Sequence, residues 1–411
     1  MESVFACCAG LDVHKESVEA CVRRIEPNGR VHSETRHWGT MTRDLREMAD
    51  WLAAEGVTNV AMESTGVFWK PIFNILESRF TVILVNARHI KQVPGRKSDV
   101  RDCQWIAQLL QCGLLKASFI PPRSQRELRD LTRHRIQLVE EKTRTINRIQ
   151  KVLEDANIKL ASVASDLMGV SGRAMIQRLI EGETNPYKLA DLAQRQLRGK
   201  IPELEKALEG RLTDHHRFLL KLLWKELTQQ EELLAELDSK IEERTRPFAA
   251  EVERLDAIPG VDRRVAEVLL AEVGANVEPF RSDEHLCSWA GMCPGNEESA
   301  GKRRRTRITP GNRWLKQTLA QAAWAASHTK NTYLASRYRR LAGHRGKKRA
   351  LIAVGHSMLV IFYHMIKSGA NYAELGGDFF DRLEPGRLTR YYVKRLERLG
   401  HKVTLETSAT A

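Results

Sequence analysis

Between Ser299 and Ala373 the chain contains no aspartate or glutamate. A solvated helical surface interleaves both signs of charge, so a block this long without acid excludes an ordinary mixed-charge face. Long apolar runs are also missing. The longest, Ala350 to Met365, is interrupted by Gly355, His356, Ser357 and His364, and no 18-residue stretch is free of polar groups, so no membrane span is expected. Met1 to Cys8 has neither the basic start nor the long apolar core of a secretion signal. The seven cysteines have no framework spacing, which leads us to expect a reducing compartment, the cytoplasm. His285, Cys287 and Cys293 lie close together, but without CxxC pairs or a fourth ligand the preferred reading is buried apolar cysteine and not zinc.

The charge that is present is basic. The 411 residues carry a formal net charge of +14, and fifteen Lys and Arg fall between Lys302 and Arg349. A one-sign block of this kind is the electrostatic footprint of a polyanion partner. Nucleic acid is the expected partner, held mostly through phosphate, with affinity that falls steeply as salt rises. Anionic lipid is the competing polyanion.

Four carboxylates stand out at the other end of the chain. Asp12 interrupts the apolar run Ala6 to Val13 and Glu63 closes the run Val57 to Met62, so each is expected at the end of a short buried strand. Asp99 and Asp102 open the helical stretch Ser98 to Leu110, where a spacing of three places both on one helix face. Mg²⁺ prefers hard oxygen ligands, and a pair of such ions stabilises both oxygens of an in-line phosphodiester displacement. A cluster of anions would repel itself and nucleic acid unless a divalent metal, Mg²⁺ or Mn²⁺, neutralised it. Taken singly, the same residues also suit helix N-terminal charges or loop positions.

Residues 1–122 are expected to form an α/β domain. Its strands are Ala6 to Val13, Ser17 to Arg23, Val31 to Trp38, Val57 to Ala61 and Thr81 to Val85, and its helices lie near Thr42 to Glu55, Phe68 to Ser78 and Ser98 to Leu110. His14 to Glu16 suits a tight hairpin. Three consecutive strands followed by alternating helix and strand is the order of a ribonuclease H or RuvC-like nuclease fold, an expectation that rests partly on fold analogy. Residues 123–250 read as a helical, coiled-coil region. Leu223, Leu227, Gln230, Leu234, Leu237 and Ile241 alternate four and three apart, a seam that serves equally a hairpin within one chain or a homodimer or larger oligomer.

Residues 251–370 are expected to be mainly α, opening on Leu255 to Asp262 with Ile258-Pro-Gly-Val261 at its centre. Gly260 permits a tight turn between two short helices, and backbone N–H groups at the second helix can receive a phosphate oxygen. This resembles a helix-hairpin-helix, a binder of DNA backbone without base preference; an ordinary Pro-Gly turn gives the same pattern. Downstream, a Gly/Pro-punctuated loop places Ser299 beside Gly301, Lys302, Arg303, Arg304 and Arg305, with Arg307 following. A hydroxyl there can be presented to a phosphate while the basic side chains stabilise charge on the phosphorus oxygens. A serine in such a loop is also a common turn residue. Ser64 and Thr65 are expected to cap the helix after Glu63, and Trp289, Trp314 and Trp324 to pack in the core and not stack on bases. His14 and Lys15 suit either a hairpin turn or nucleic-acid contact.

Together these features resemble the insertion-sequence one-ten family of bacterial transposases. The resemblance is carried by Gly10-Leu-Asp-Val-His-Lys15, Met62-Glu-Ser-Thr-Gly66, Lys97-Ser-Asp-Val-Arg-Asp102, Ile258-Pro-Gly-Val261 and Ser299-Ala-Gly-Lys302 through Gly311-Asn312, and it covers most of Gly10 to about Gly369. It implies a DEDD metal site at Asp12, Glu63, Asp99 and Asp102, and a serine nucleophile at Ser299. It further implies double-stranded DNA as substrate, an element-encoded guide RNA that bridges donor and target, and a dimer in the bacterial cytoplasm, at the nucleoid when bound to DNA. The alternatives from residue chemistry alone are a junction resolvase that uses only the carboxylates, and a non-catalytic nucleic-acid-binding scaffold. Residues 371–411 carry none of these motifs.

Overall fold

The near-unbroken apolar sequence of β1 (Cys7–Val13) makes it the central strand of a five-stranded sheet. The structure is a computed structural model and describes residues 4–64, 66–86, 101–294, 298–299, 302–303 and 308–406, with residues 298–299 and 302–303 described for their backbone. β1 is followed by β2 (Ser17–Ile25), β3 (Val31–Gly39), α1 (Thr42–Ala54), β4 (Asn59–Glu63), α2 (Trp69–Leu76), β5 (Thr81–Val85) and α3 (Asp102–Gln111). The strand order is β3-β2-β1-β4-β5. β1 pairs antiparallel with β2, and β2 with β3, whereas β1 and β4, and β4 and β5, run parallel. β3 is polar and largely exposed, as suits an edge strand. The hairpin between β1 and β2 is closed by the His14 amide donating to the Ser17 carbonyl at 2.9 Å.

Alternation along β1 decides what each face meets. Ala9, Leu11 and Val13 point to one side, where they join Leu45, Met48 and Leu52 of α1 and Ile72 and Leu76 of α2. Leu45, Met48, Ala49 and Leu52 recur at helical spacing, which gives α1 its buried stripe. Cys8, Gly10 and Asp12 point to the other side, covered by α3. There Cys8, Ala61 and Val85 meet Trp105, Ile106, Leu109 and Leu110, and Cys21 meets Cys103 and Ala107. The α/β expectation is correct in all five strands and in its first two helices.

The described chain forms two compact units, 1–121 and 122–411. The second is built on two long helices, α4 (Arg123–Asp155) and α9 (Asp214–Thr245), which lie antiparallel. Their direction follows from the pairs Asp155 with His216, Lys142 with Glu231, Arg135 with Asp238 and Glu127 with Arg244. All six residues of the 223–241 seam are buried or half-buried, so the seam is used within one chain. Its polar member, Gln230, is buried and donates to Thr145 Oγ1 at 3.2 Å, a contact that penalises a slip in register. Between these helices, α5 (Leu160–Val163), α6 (Val170–Glu181), α7 (Pro186–Ala190) and α8 (Ile201–Leu208) enclose a core of Leu160, Met175, Ile176, Leu189 and Leu204.

The rest of this unit is helical: α10 (Ala249–Asp256), α11 (Arg263–Glu272), α12 (Asp283–Trp289), α13 (Arg313–His328), α14 (Tyr333–Arg345), α15 (Lys347–Ser368), α16 (Phe379–Leu383) and α17 (Pro385–Arg398). Among the described residues α15 alone is long and apolar enough to cross a membrane. It packs against α12, α13 and α14, with Val354, Leu359 and Phe362 fully buried.

Candidate functional site

Strand parity places Asp12 and Glu63 on one face of the sheet. Asp12 follows Cys8 and Gly10 on the α3 side of β1, and Glu63 follows Ala61 on the α3 side of β4. The last registered pair of these parallel strands is Leu11 with Met62, and Asp12 and Glu63 are the next residue of each strand. Asp102 is the first residue of α3, the helix that covers this face. Its charge reaches Asp12. Burial pushes the Asp12 carboxyl above its usual range, His14 pulls it down, and Asp102 and Glu19 push it up again. The His14 Nε2 lies 3.2 Å from Asp12 Oδ2.

Gly10 is what lets α3 come this close. A β-carbon on Gly10 would lie 2.3 Å from the Ala107 nitrogen and 2.4 Å from the Cys103 carbonyl oxygen, both backbone atoms that cannot swing aside. Gly10→Ala is therefore expected to force α3 off the sheet, and Asp102 away from Asp12, at a cost of about 2–3 kcal/mol. Urea denaturation measures it; a midpoint equal to the parent's would show that the helix yields freely.

Two expectations need correcting. Arg101, the residue before α3, has extended backbone (φ −60°, ψ 149°), so the helix expected from Ser98 starts at Asp102 among the described residues. Asp99 itself lies outside the described residues, as do Thr65, Arg304, Arg305 and Arg307. Ser64 does not cap α2, whose N-cap is Phe68 without a side-chain bond; the Ser64 amide instead donates to the Val85 carbonyl at 3.0 Å. Among the described residues no three His, Cys, Asp or Glu side chains close on one ion. The donor chemistry still suits a hard cation, because Asp12 is a carboxylate kept reluctant to ionise by burial and by two neighbouring acids.

Glu19 was not anticipated. It is the cross-strand partner of Asp12 in the β1–β2 ladder and shares its face with Cys21, so it adds a fourth described acid to this edge. Arg101 Nη1 approaches Glu19 Oε1 at 4.0 Å. The signal was present in the sequence, since a tight turn at 14–16 fixes which residue of the second strand faces Asp12.

In the second unit Ser299 occupies the end of a two-stranded ribbon. β6 (Glu298–Ser299) pairs with β7 (Lys302–Arg303) in the register Ser299 with Lys302, leaving Ala300 and Gly301 between them. Nearer the helices Pro294 bridges Ile308, and the Thr309 amide donates to the Cys293 carbonyl at 3.4 Å. At the base Gly311 lies so close to Gly291 that a β-carbon on it would be 2.3 Å from the Gly291 nitrogen. The turn at Gly260 has φ +84°, and its open side abuts α13, where a β-carbon would be 2.4 Å from the Ala322 carbonyl oxygen. The Val261 amide donates within the turn to Ile258, and the Asp262 carboxylate caps α11. Packing thus accounts for the glycine, and an acid stands at the helix end where a phosphate was expected.

The tryptophans divide. Trp289 and Trp314 are half-buried, with the guanidinium of Arg129 6.0 Å from the first ring and that of Arg133 5.9 Å from the second. Trp324 is 52% exposed, contrary to the core expectation, since the buried residues of α13 are Leu315, Thr318, Leu319, Ala322, Ala323 and Ala326. Cys287 is fully buried and its thiol is pushed up to about 12 by burial.

An acid-rich sheet edge in one unit and a serine-bearing ribbon within a basic stretch in the other are the marks of a protein that acts on nucleic acid. Residues 9–158 match the family model for the DEDD domain of IS110 transposases, described as a transposase, and residues 252–339 match the model described as the transposase IS116/IS110/IS902 family. The chain belongs to the IS110 family of transposases. No curated protein matches it.

Proposed function

We propose that this protein cuts and rejoins double-stranded DNA as the transposase of an insertion sequence, with Asp12, Glu63, Asp99 and Asp102 as ligands of Mg²⁺ or Mn²⁺ and Ser299 as the nucleophile. The observation that carries the reading is that Asp12 and Glu63 share the α3-covered face of the sheet at the C-terminal ends of β1 and β4, with the charge of Asp102, at the start of α3, reaching Asp12. The strand order, with its three antiparallel strands leading into a parallel pair, supports a RuvC-like description of this unit. A bound divalent ion would polarise the phosphodiester oxygens and offset the charge that builds on them.

The remaining chemistry falls to the chain itself. Ser299 Oγ attacks phosphorus and forms an O–P bond as it gives up its proton; the DNA oxygen leaves, takes up a proton, and the strand is held as a phosphoserine ester. Attack by a free DNA hydroxyl on that ester reverses both bonds and restores the serine. Lys302, Arg303, Arg304, Arg305 and Arg307 hold the phosphates near Ser299. The guide RNA and the dimer rest on family resemblance.

Ser299→Ala tests the reading. Strand exchange and the covalent protein–DNA adduct are expected to vanish, whereas duplex binding stays within about twofold, since phosphate contacts dominate affinity. Metal-dependent cutting that persists in this variant without an adduct would make the protein a carboxylate-only nuclease.

A further inference from the structure

Beyond the matched residues the tail folds back before it projects. Glu374 Oε1 accepts from the Tyr333 amide at 2.7 Å and the Gly376 amide at 2.8 Å, which ties the tail to the start of α14. Phe379 and Phe380 of α16 then pack on the Tyr333 ring at 5.1 and 5.5 Å, and the Arg340 guanidinium covers Phe380 at 5.1 Å. Leu383 and Glu384 share a small cavity with Arg337, Arg340 and Leu341. The tail therefore leaves the body beside the basic end of α14, where Arg339, Arg340 and Arg345 are exposed, and continues as α17 with no buried residue.

α17 has two faces. Arg387, Arg390, Lys394 and Arg398 are spaced three, four and four, so they form one stripe about 16 Å long. Leu388, Tyr392, Leu396 and Leu399 lie on the opposite side. From Glu384 to Lys402 there are six Lys and Arg against two acids. The apolar side is poor bilayer material: it contains no Trp or Phe, and Tyr391 and Tyr392, 55% and 53% exposed, carry hydroxyls along its edge. A cationic stripe that extends the basic surface of α14 requires only phosphates at its own spacing, which a duplex backbone supplies.

We infer that α17 is a DNA-backbone-binding arm, in which Arg387, Arg390, Lys394 and Arg398 contact duplex phosphates outside the matched family regions. The contacts are independent of base sequence. The inference rests on double-stranded DNA being the substrate of this protein.

The test is duplex binding by the full chain across a salt series, with a random-sequence DNA duplex as probe. In R387Q/R390Q/K394Q/R398Q the slope of log affinity against log salt is expected to become shallower by about 3.6, near 0.9 per lost phosphate contact, with affinity down at least about tenfold. Glutamine keeps helix propensity, and the four side chains make only local contacts such as Arg387 with Glu384, so circular dichroism should be unchanged. Lysine at all four positions should restore the parent slope. An unchanged slope in the glutamine variant overturns the inference, as does a loss confined to duplex RNA. It is likewise overturned if binding to vesicles of phosphatidylcholine and phosphatidylserine is lost while DNA binding is kept. A parent chain that fails to bind duplex DNA overturns both this inference and the proposed function, whereas a parent that binds with the slope unaffected by substitution overturns this one alone.

Discussion

Asp12→Asn should abolish DNA cleavage, by about a thousandfold or more, and leave the protein as stable as the parent or more so. The loss of activity follows if Asp12 is a ligand, because removing it forfeits a few kcal/mol of stabilised transition-state charge. The stability gain follows from electrostatics. The folded Asp12 carboxyl sits above its ordinary range, first through burial, with His14 opposing, and then through Asp102 and Glu19. A carboxyl raised on folding contributes its stability below the unfolded value and loses it as pH rises through the folded value. At neutral pH the ionised Asp12 is thus a burden on the fold, which asparagine removes while its side-chain oxygen still accepts a hydrogen bond from His14. Thermal unfolding at several pH values checks this. The parent should lose stability as pH rises from the acid side while Asp12→Asn does not, and added Mg²⁺ should raise the parent's Tm more than the variant's. A variant that lost Tm and activity together would mark Asp12 as structural.

The sheet was legible in the sequence because each strand's environment is written in its own residues. β1 is apolar because helices cover both its faces, and β3 is polar because it is an edge. Side-chain parity then carried the site, since an acid two residues beyond Gly10 shares Gly10's face. The Gln230 seam was legible for the same reason, although spacing alone could not tell an internal partner from a second chain. What escaped was non-local. Glu19 depends on a cross-strand register, the true start of α3 depends on the backbone of Arg101, and the closeness of Gly291 and Gly311 depends on how a ribbon returns. Glu272 escaped most completely. It reads as one more charge on a helix, yet it is fully buried, and its partner Arg133 is 139 residues away in sequence.

Glu272→Ala should destabilise the second unit severely, more than Gly10→Ala destabilises the first. Both carboxylate oxygens are used: Arg133 Nε donates to Oε1 at 2.7 Å and Arg133 Nη2 to Oε2 at 2.8 Å, while Asn312 Nδ2 donates to Oε2 at 2.6 Å. Arg129 Nε lies 3.5 Å from Oε2, and its guanidinium also donates to the Ala271 and Glu272 carbonyls. Burial, opposed by Glu272, lowers Arg129 to about 10, so it stays charged at neutral pH. Removing the carboxylate leaves two guanidinium groups confined near one another without an anion, and breaking such a pair costs about 3–5 kcal/mol. For a unit of this size that is a fall in Tm on the order of 10 °C. Replacing Arg133 and Glu272 together by methionine should recover part of the loss, because one ion pair's desolvation cost goes with it while Arg129 keeps its bonds to the Ala271 and Glu272 carbonyls. The network also touches the proposed chemistry. Asn312 caps α13 by accepting from the Trp314 and Leu315 amides, both at 3.1 Å, and it ends the segment that carries Ser299. Glu272 thereby anchors Asn312 at the end of that segment, and the double methionine variant should regain part of the Tm without regaining strand exchange. Full activity in that variant would show that the network serves stability alone.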